Sequence, residues 1–152
     1  MTTIYESESD LPEHLQTLLD AARRHQHEWI NNIEGDSLSA QHKQMTIFGP
    51  FGGPVRHARD QLVEVQSRAR SQFKSGTGTV QLIRAIEAGD LVILVLSETS
   101  EVMFVGRDEP HTWSLRITEA YLDVNGTWRR IHRHADPLTK LRGLAETLAL
   151  LE

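Results

Sequence analysis

The sequence predicts an α+β fold: a cone-shaped half-barrel in which a curved antiparallel sheet wraps over N-terminal helices, closed by a C-terminal helix. Three observations predict it. Apolar residues recur at helical spacing in the first half of the chain, the second half reads as strands, and those strands are joined by turns of hairpin length. Helices first and strands second is the order of a segregated architecture, not of alternating βαβ units. The 152 residues are read as one domain over 1–152, a length that buries roughly two thirds of the unfolded surface in a single core.

Asp10-Leu11-Pro12-Glu13 reads as a helix start, with Asp10 placed to accept from a free amide, Pro12 tolerated in the first turn and Glu13 reaching back. Leu15, Leu18, Leu19, Ala22, Trp29, Ile30 and Ile33 then form one apolar stripe. Gln26 interrupts it and Gly35 supplies a stop. Ser37–Gln44 is a mixed segment with room for one or two further helical turns, and Met45–Phe48 a short strand. Gly49-Pro50-Phe51-Gly52-Gly53-Pro54 continues no regular element. From Val55 the helical period returns through Ala58, Leu62, Val65, Ala69 and Phe73, with Gly76 and Gly78 expected to end it.

Thr79–Glu87 turns at Ala88-Gly89-Asp90 into Leu91–Val105, a run so long that a bulge or bend is expected within Ser97–Glu101. After Gly106–Pro110, His111–Val124 should pair with Thr127–Ala135 across Asn125-Gly126, two residues that tolerate the positive φ of a tight hairpin turn. Leu138, Leu141, Leu144, Ala145, Leu148 and Leu151 give a closing amphipathic helix. A bent sheet over two or three helices makes a cone, whose open end suits a small-molecule pocket with apolar walls and a few converging polar groups.

Composition narrows the function. Lys+Arg number 16 against 21 Asp+Glu, a net charge of -5, and the arginines are scattered, which argues against nucleic acid. The absence of cysteine excludes disulfides and thiolate chemistry. The N-terminus lacks the pattern of a secretory signal. The longest aliphatic run, Leu91–Leu96, falls far short of the ~20 residues of a membrane span, so a cytoplasmic protein without membrane contact is expected.

The chemistry concentrates in Thr127–Pro137. Strict alternation puts Trp128, Arg130, His132, His134 and Asp136 on one face and Arg129, Ile131, Arg133 and Ala135 on the other. Unless a bulge intervenes, both histidines lie inside the cone or both outside; with the phase reversed, Arg133 points inward. Inside, His132 and His134 suit general acid/base work. As metal ligands two imidazoles are too few without Asp136, His111 or Asp36, and neither metal nor cofactor is assigned. Arg116, between Leu115 and Ile117, either grips a ligand carboxylate or carbonyl or forms a cross-strand ion pair, for example with Glu98 or Glu101. Asp36 is a candidate base or a helix cap. Phe48 and Phe51 of the irregular loop, with Trp29 of the first helix, are the apolar ligand contacts.

A long helix ending in Gly35-Asp36, the loop Phe48-Gly49-Pro50-Phe51-Gly52-Gly53, the strand Leu115-Arg116-Ile117-Thr118 and the run from Asn125 to His134 resemble a SnoaL-like domain of the nuclear transport factor two-like, or ketosteroid isomerase-like, superfamily. The resemblance spans roughly Leu15 to Asp136, and Gly-x-Trp-x-x-x-His-x-His is its more specific part. The chain is also similar to the association domain of calmodulin-dependent kinase, where an arginine like Arg116 lines the cone. The resemblance implies a cone fold and a small organic ligand, with either cofactor-free isomerase, dehydratase or hydrolase chemistry or a non-catalytic role in assembly. Steroid isomerisation is not carried over, because neither of the two tyrosines, Tyr5 and Tyr121, falls where an oxyanion donor is needed. The apolar set Leu91–Leu96 with Trp113 and Trp128 exceeds what one covered sheet face needs, so a homodimer through the other face is expected.

Overall fold

The computed structural model describes residues 1–35, 40–57 and 59–152. Its elements are β1 (Thr2–Tyr5), a 3-10 turn (Glu8–Asp10), α1 (Glu13–Ile30), β2 (Gln41–Phe48), β3 (Arg56–His57), α2 (Arg59–Arg70), β4 (Phe73–Ala88), β5 (Leu91–Phe104), β6 (His111–Val124), β7 (Thr127–Pro137) and α3 (Leu144–Ala149). The strands form one curved, unclosed sheet in the order β1-β4-β5-β6-β7-β2-β3. All neighbours are antiparallel except β2 and β7, which run parallel.

The first helix begins at Pro12, whose fixed φ of -67 leads into α1, while Asp10 lies in the preceding 3-10 turn and makes no cap. Leu15, Leu18, Leu19 and Ala22 sink into the core beside Val80, Leu94, Leu96 and Ile117. The helix stops at Ile30 and not at Gly35. Asn32 takes the left-handed conformation, φ 51, which asparagine tolerates. Asn31 anchors the end by accepting from the Gly76 amide at 3.0 Å and donating to its carbonyl at 3.1 Å.

Gly76 and Gly78, expected as helix stops, lie inside β4. A Cβ on Gly76 would fall 2.8 Å from the Glu101 carbonyl oxygen of β5, while Gly78 allows close approach of α1 to the sheet. A Cβ on Gly78 would fall 2.7 Å from the Gln26 amide nitrogen and 2.7 Å from Ser100 Cβ. Gln26, the residue that interrupts the apolar stripe, is buried there and donates to the Thr79 carbonyl at 3.0 Å. Phe73 opens β4 and fills a second small core with Ile30 and Val102.

The bend is not where strand length suggested. β5 and β6 keep an unbroken register from Leu91↔Leu122 to Val102↔His111, so Ser97–Glu101 holds no bulge. The irregularities sit in β4, between Phe73 and Ser75 and between Leu82 and Arg84, and in β7, where Ala120 pairs His132 but Tyr121 pairs Arg130. Ile131 is the extra residue. Such insertions increase local twist and coil the sheet over α1. The hairpin turn forms as expected, with Asn125 at φ 54 and Gly126 at φ 84, and Asp123 Oδ1 accepts from the Gly126 amide at 2.7 Å.

Gln41–Gln44 belongs to β2 and not to a helical segment: Gln41 pairs with Arg130 of β7, and after a register shift the parallel pairing resumes at Thr46 with His132. The C-terminal helix is confined to Leu144–Ala149, and every side chain from Pro137 to Glu152 is exposed. With no apolar surface beneath it, the leucine pattern yields less than two turns.

Candidate functional site: a pocket beneath the curved sheet

The bulge at Ile131 decides what faces the interior. N-terminal to it Trp128 and Arg130 point to the helix side; C-terminal to it the phase inverts, so Arg133 and Ala135 point inward while His132, His134 and Asp136 turn to the outer face. Both arginines are thereby buried on one side, three residues apart, where strict alternation would have separated them.

A cavity of about 410 Å³ opens beside them, between α1, α2, the loop after β2 and the inner face of β5, β6 and β7. Its walls include Trp29, Ile30, Ile47, Trp113, Leu115 and Ala135. Pro50 and Phe51 border the mouth, and the Phe51 ring packs on Trp113 with centroids 5.5 Å apart. Glu98 and Arg133 form its polar end, with His25 and Gln26 contributed by α1.

Behind that polar end lies a buried charge cluster. The Glu119 carboxylate, 0% exposed, accepts from Arg133 Nη1 and from the Tyr121 hydroxyl, and lies 3.5 Å from Arg130 Nη1. Burial alone would raise the Glu119 pKa, but the two guanidiniums outweigh it and hold the group at about 2. Glu98 differs. Its burial raises the carboxyl above the usual carboxylate range, and Arg133, 3.5 Å away, opposes this only in part. Glu98 Oε1 makes no hydrogen bond among the described residues. The His25 imidazole is pushed well below its usual range by burial and by the charges of Arg130 and Arg133, and so is neutral.

The expected site residues divide between the two sides of the sheet. Trp29 and Phe51 line the cavity, and Phe48 borders it while its ring meets His132 and His134 edge-on at 5.2 and 5.5 Å. Arg116 does not share that concavity. It projects from the outer face and pairs bidentately with Asp136, the residue opposite in register, at 2.8 and 2.6 Å. His132 bonds Thr46 Oγ1 at 2.7 Å, with its pKa lowered by partial burial and then by His134. Arg116 and the two histidines therefore stand together, but on the opposite side from the cavity. Asp36 lies outside the described residues. No cluster of metal-ligating groups occurs among the described residues.

Sequence reasoning missed Glu98, Glu119 and Arg130. The signal was present: Glu98 continues the buried phase of Val92, Leu94 and Leu96, and Glu119 sits between Ile117 and Tyr121 in the same phase of β6. An acid at a core-phase strand position must be paired or protonated.

No protein-family model matches the sequence, and no curated protein matches it. Solved structures do match its fold. A candidate dehydratase of the nuclear transport factor two-like family from Streptomyces avermitilis superposes with a TM-score of 0.67 at 14% identity, covering 84% of this chain and 99% of that one. A nuclear transport factor two-like superfamily protein from Salmonella enterica gives 0.67 at 14% identity, covering 86% and 94%. A candidate calcium/calmodulin-dependent kinase II association domain from Xanthomonas campestris gives 0.63 at 15% identity, covering 88% and 93%.

Proposed function

This chain has the nuclear transport factor two-like fold, and from that premise we propose that it binds a small organic molecule in the cavity beneath its sheet. The observation that carries the reading is the cavity's build: about 410 Å³ enclosed by tryptophan and aliphatic walls, with one acidic group and one guanidinium at its end. That is the usual composition of a ligand site, apolar area for affinity and a few placed polar groups for orientation. Neutral His25 and Glu98 with its raised pKa equip the site for cofactor-free proton transfer of the isomerase, dehydratase or hydrolase kind, with Arg133 steadying developing negative charge.

Saturable binding of the neutral dye N-phenyl-1-naphthylamine, followed by its fluorescence, tests this. One site per chain is expected, and it should be lost in Ala135→Phe, which fills the cavity from the inner face of β7. Dye binding that survives that substitution unchanged places the site elsewhere and ends the reading.

A second reading, assembly, has its own observation. Leu138, Leu141, Leu144, Leu148, Leu150 and Leu151 are all exposed, and the association domain among the structural neighbours is named for assembly. In this reading the outer sheet face, with Arg116, His132 and His134, pairs two copies.

A further inference from the structure

After β7 the chain leaves a run of leucines uncovered. Leu138, Leu141, Leu144, Leu148, Leu150 and Leu151 are all exposed, Leu141 fully so at 101%, and α3 takes in only Leu144 and Leu148. Soluble chains seldom expose that much contiguous apolar surface without a partner. Leu141, Leu144, Leu148 and Leu151 follow one another at steps of three, four and three residues, which is the a/d spacing of a seam between two helices. Lys140, Arg142, Glu146 and Glu152 fall off that seam, Gly143 falls on its far side, and Ala145 beside it is small enough for two backbones to approach.

The body of the same copy does not offer the matching surface. The Leu138 amide donates to the Ser114 carbonyl at 2.9 Å, one step beyond the Leu115↔Pro137 pair, so the segment leaves past the start of β6. The apolar strip of the outer face lies toward the other end of β6, where Ile93 pairs with Ala120 and Val95 with Thr118. The segment does set out on the outer side: Asp136 is held below the usual carboxylate range first by its hydrogen bond from Arg116 and, more weakly, by the charge of Arg142. That is the side on which the assembly reading pairs two copies. In a twofold pair each surface meets the same surface of the other copy, and a leucine seam is complementary to itself. Lys140 and Arg142 are balanced by Glu146 and Glu152, so the segment lacks the basic excess that holds an amphipathic helix on an anionic lipid surface.

We propose that Leu141, Leu144, Leu148 and Leu151 form the seam by which the C-terminal segments of two copies pair as helices. The pairing rests on the assembly reading and names the segment that carries it out. In a single copy the helix is confined to Leu144–Ala149, because an isolated helix shorter than ~12–15 residues is marginal in water and Gly143 adds to the cost. Against a second copy the same leucines are buried, and the helix extends to take in Leu141 and Leu151. Folding of the segment and dimerisation are thus one equilibrium.

The test follows sedimentation and far-ultraviolet circular dichroism of the intact chain from sub-micromolar to high micromolar concentration. Helix content should rise in step with the dimer fraction. Leu144→Asp combined with Leu148→Asp alters two exposed positions, so the body should melt unchanged. Dimerisation should weaken by about 10-fold or more, because each seam would then bury carboxylates, and the concentration-dependent helix should be lost. Because the chain has no cysteine, Glu146→Cys places one spin label per copy on the outside of the seam. Paired helix axes stand roughly 8–10 Å apart, so the two labels should give one short distance, on the order of 20 Å. A dimer that survives the double substitution unchanged, or labels far apart in a persisting dimer, overturns the tail pairing while leaving the assembly reading. Helix that grows with added phosphatidylglycerol vesicles and not with protein concentration also overturns it, in favour of a lipid surface. A monomer at every concentration removes the pairing and the assembly reading together.

Discussion

At residue scale, Ile131 and Glu119 act as a pair. The extra residue at Ile131 brings Arg130 and Arg133 to the same side, and Glu119 is the counter-charge that makes their burial tolerable. Replacing it by Glu119→Gln leaves Arg130 without a carboxylate and Arg133 with only Glu98, 3.5 Å away, and removing one member of a buried pair costs about 3–5 kcal/mol. Urea unfolding at pH 7 should show that loss; a change below about 1 kcal/mol would mean the cluster is not structural. The same group sets an acid limb. Its folded pKa lies near 2, below the 4.5 of an ordinary glutamate, so its contribution is complete above pH 4.5 and is lost as pH falls toward 2. The Glu119→Gln variant should lack that part of the limb. No count of histidines or arginines in the sequence contains this arrangement. It depends on one inserted residue, and a bulge leaves no mark in an apolar-polar pattern already broken by Arg129, Arg130 and Arg133.

At the scale of elements, legibility followed the length of the pattern. The hairpin at Asn125-Gly126 and the body of α1 were readable because turn chemistry and a long apolar stripe are local signals. The ends of α1, the role of Gly76 and Gly78 and the place of the bends were not, because each is set by contact between distant segments. Gly78 shows why. Its lack of a side chain serves Gln26, which lies 52 positions earlier in the sequence and must reach Thr79. Gly78→Val should therefore push α1 from β4, at a cost of about 1–3 kcal/mol from overpacking, even though valine is the better strand former. Thermal melts of the variant alone and with Gln26→Ala distinguish the cause: relief of the clash should recover part of the loss, and strict additivity would argue that Gln26 is not what the new side chain meets. The outer cluster of Arg116, Asp136, His132 and His134 was legible as a set and assigned to the cone from alternation. Alternation failed at a single step.

At the scale of the whole molecule, the curved sheet has two faces with different uses. The inner face carries the core and the cavity, and the outer face carries Ile93, Val95, Leu122 and the histidine cluster, partly covered or exposed. We propose a homodimer through that outer face. Sedimentation should give a dimer at micromolar concentration, and substituting Arg116→Glu, which places two like charges at the Asp136 pair, should shift it toward monomer. A monomer throughout would remove the assembly reading. The central claim is that a ligand sits beneath the sheet and not against the histidines on its back. Intermolecular nuclear Overhauser effects from bound N-phenyl-1-naphthylamine test it most directly, because methyl groups mark both sides of β2 and β6. The account predicts cross-peaks to Ile47, Leu115 and Ala135, whereas cross-peaks to Thr46 and Thr118 in their place would contradict it.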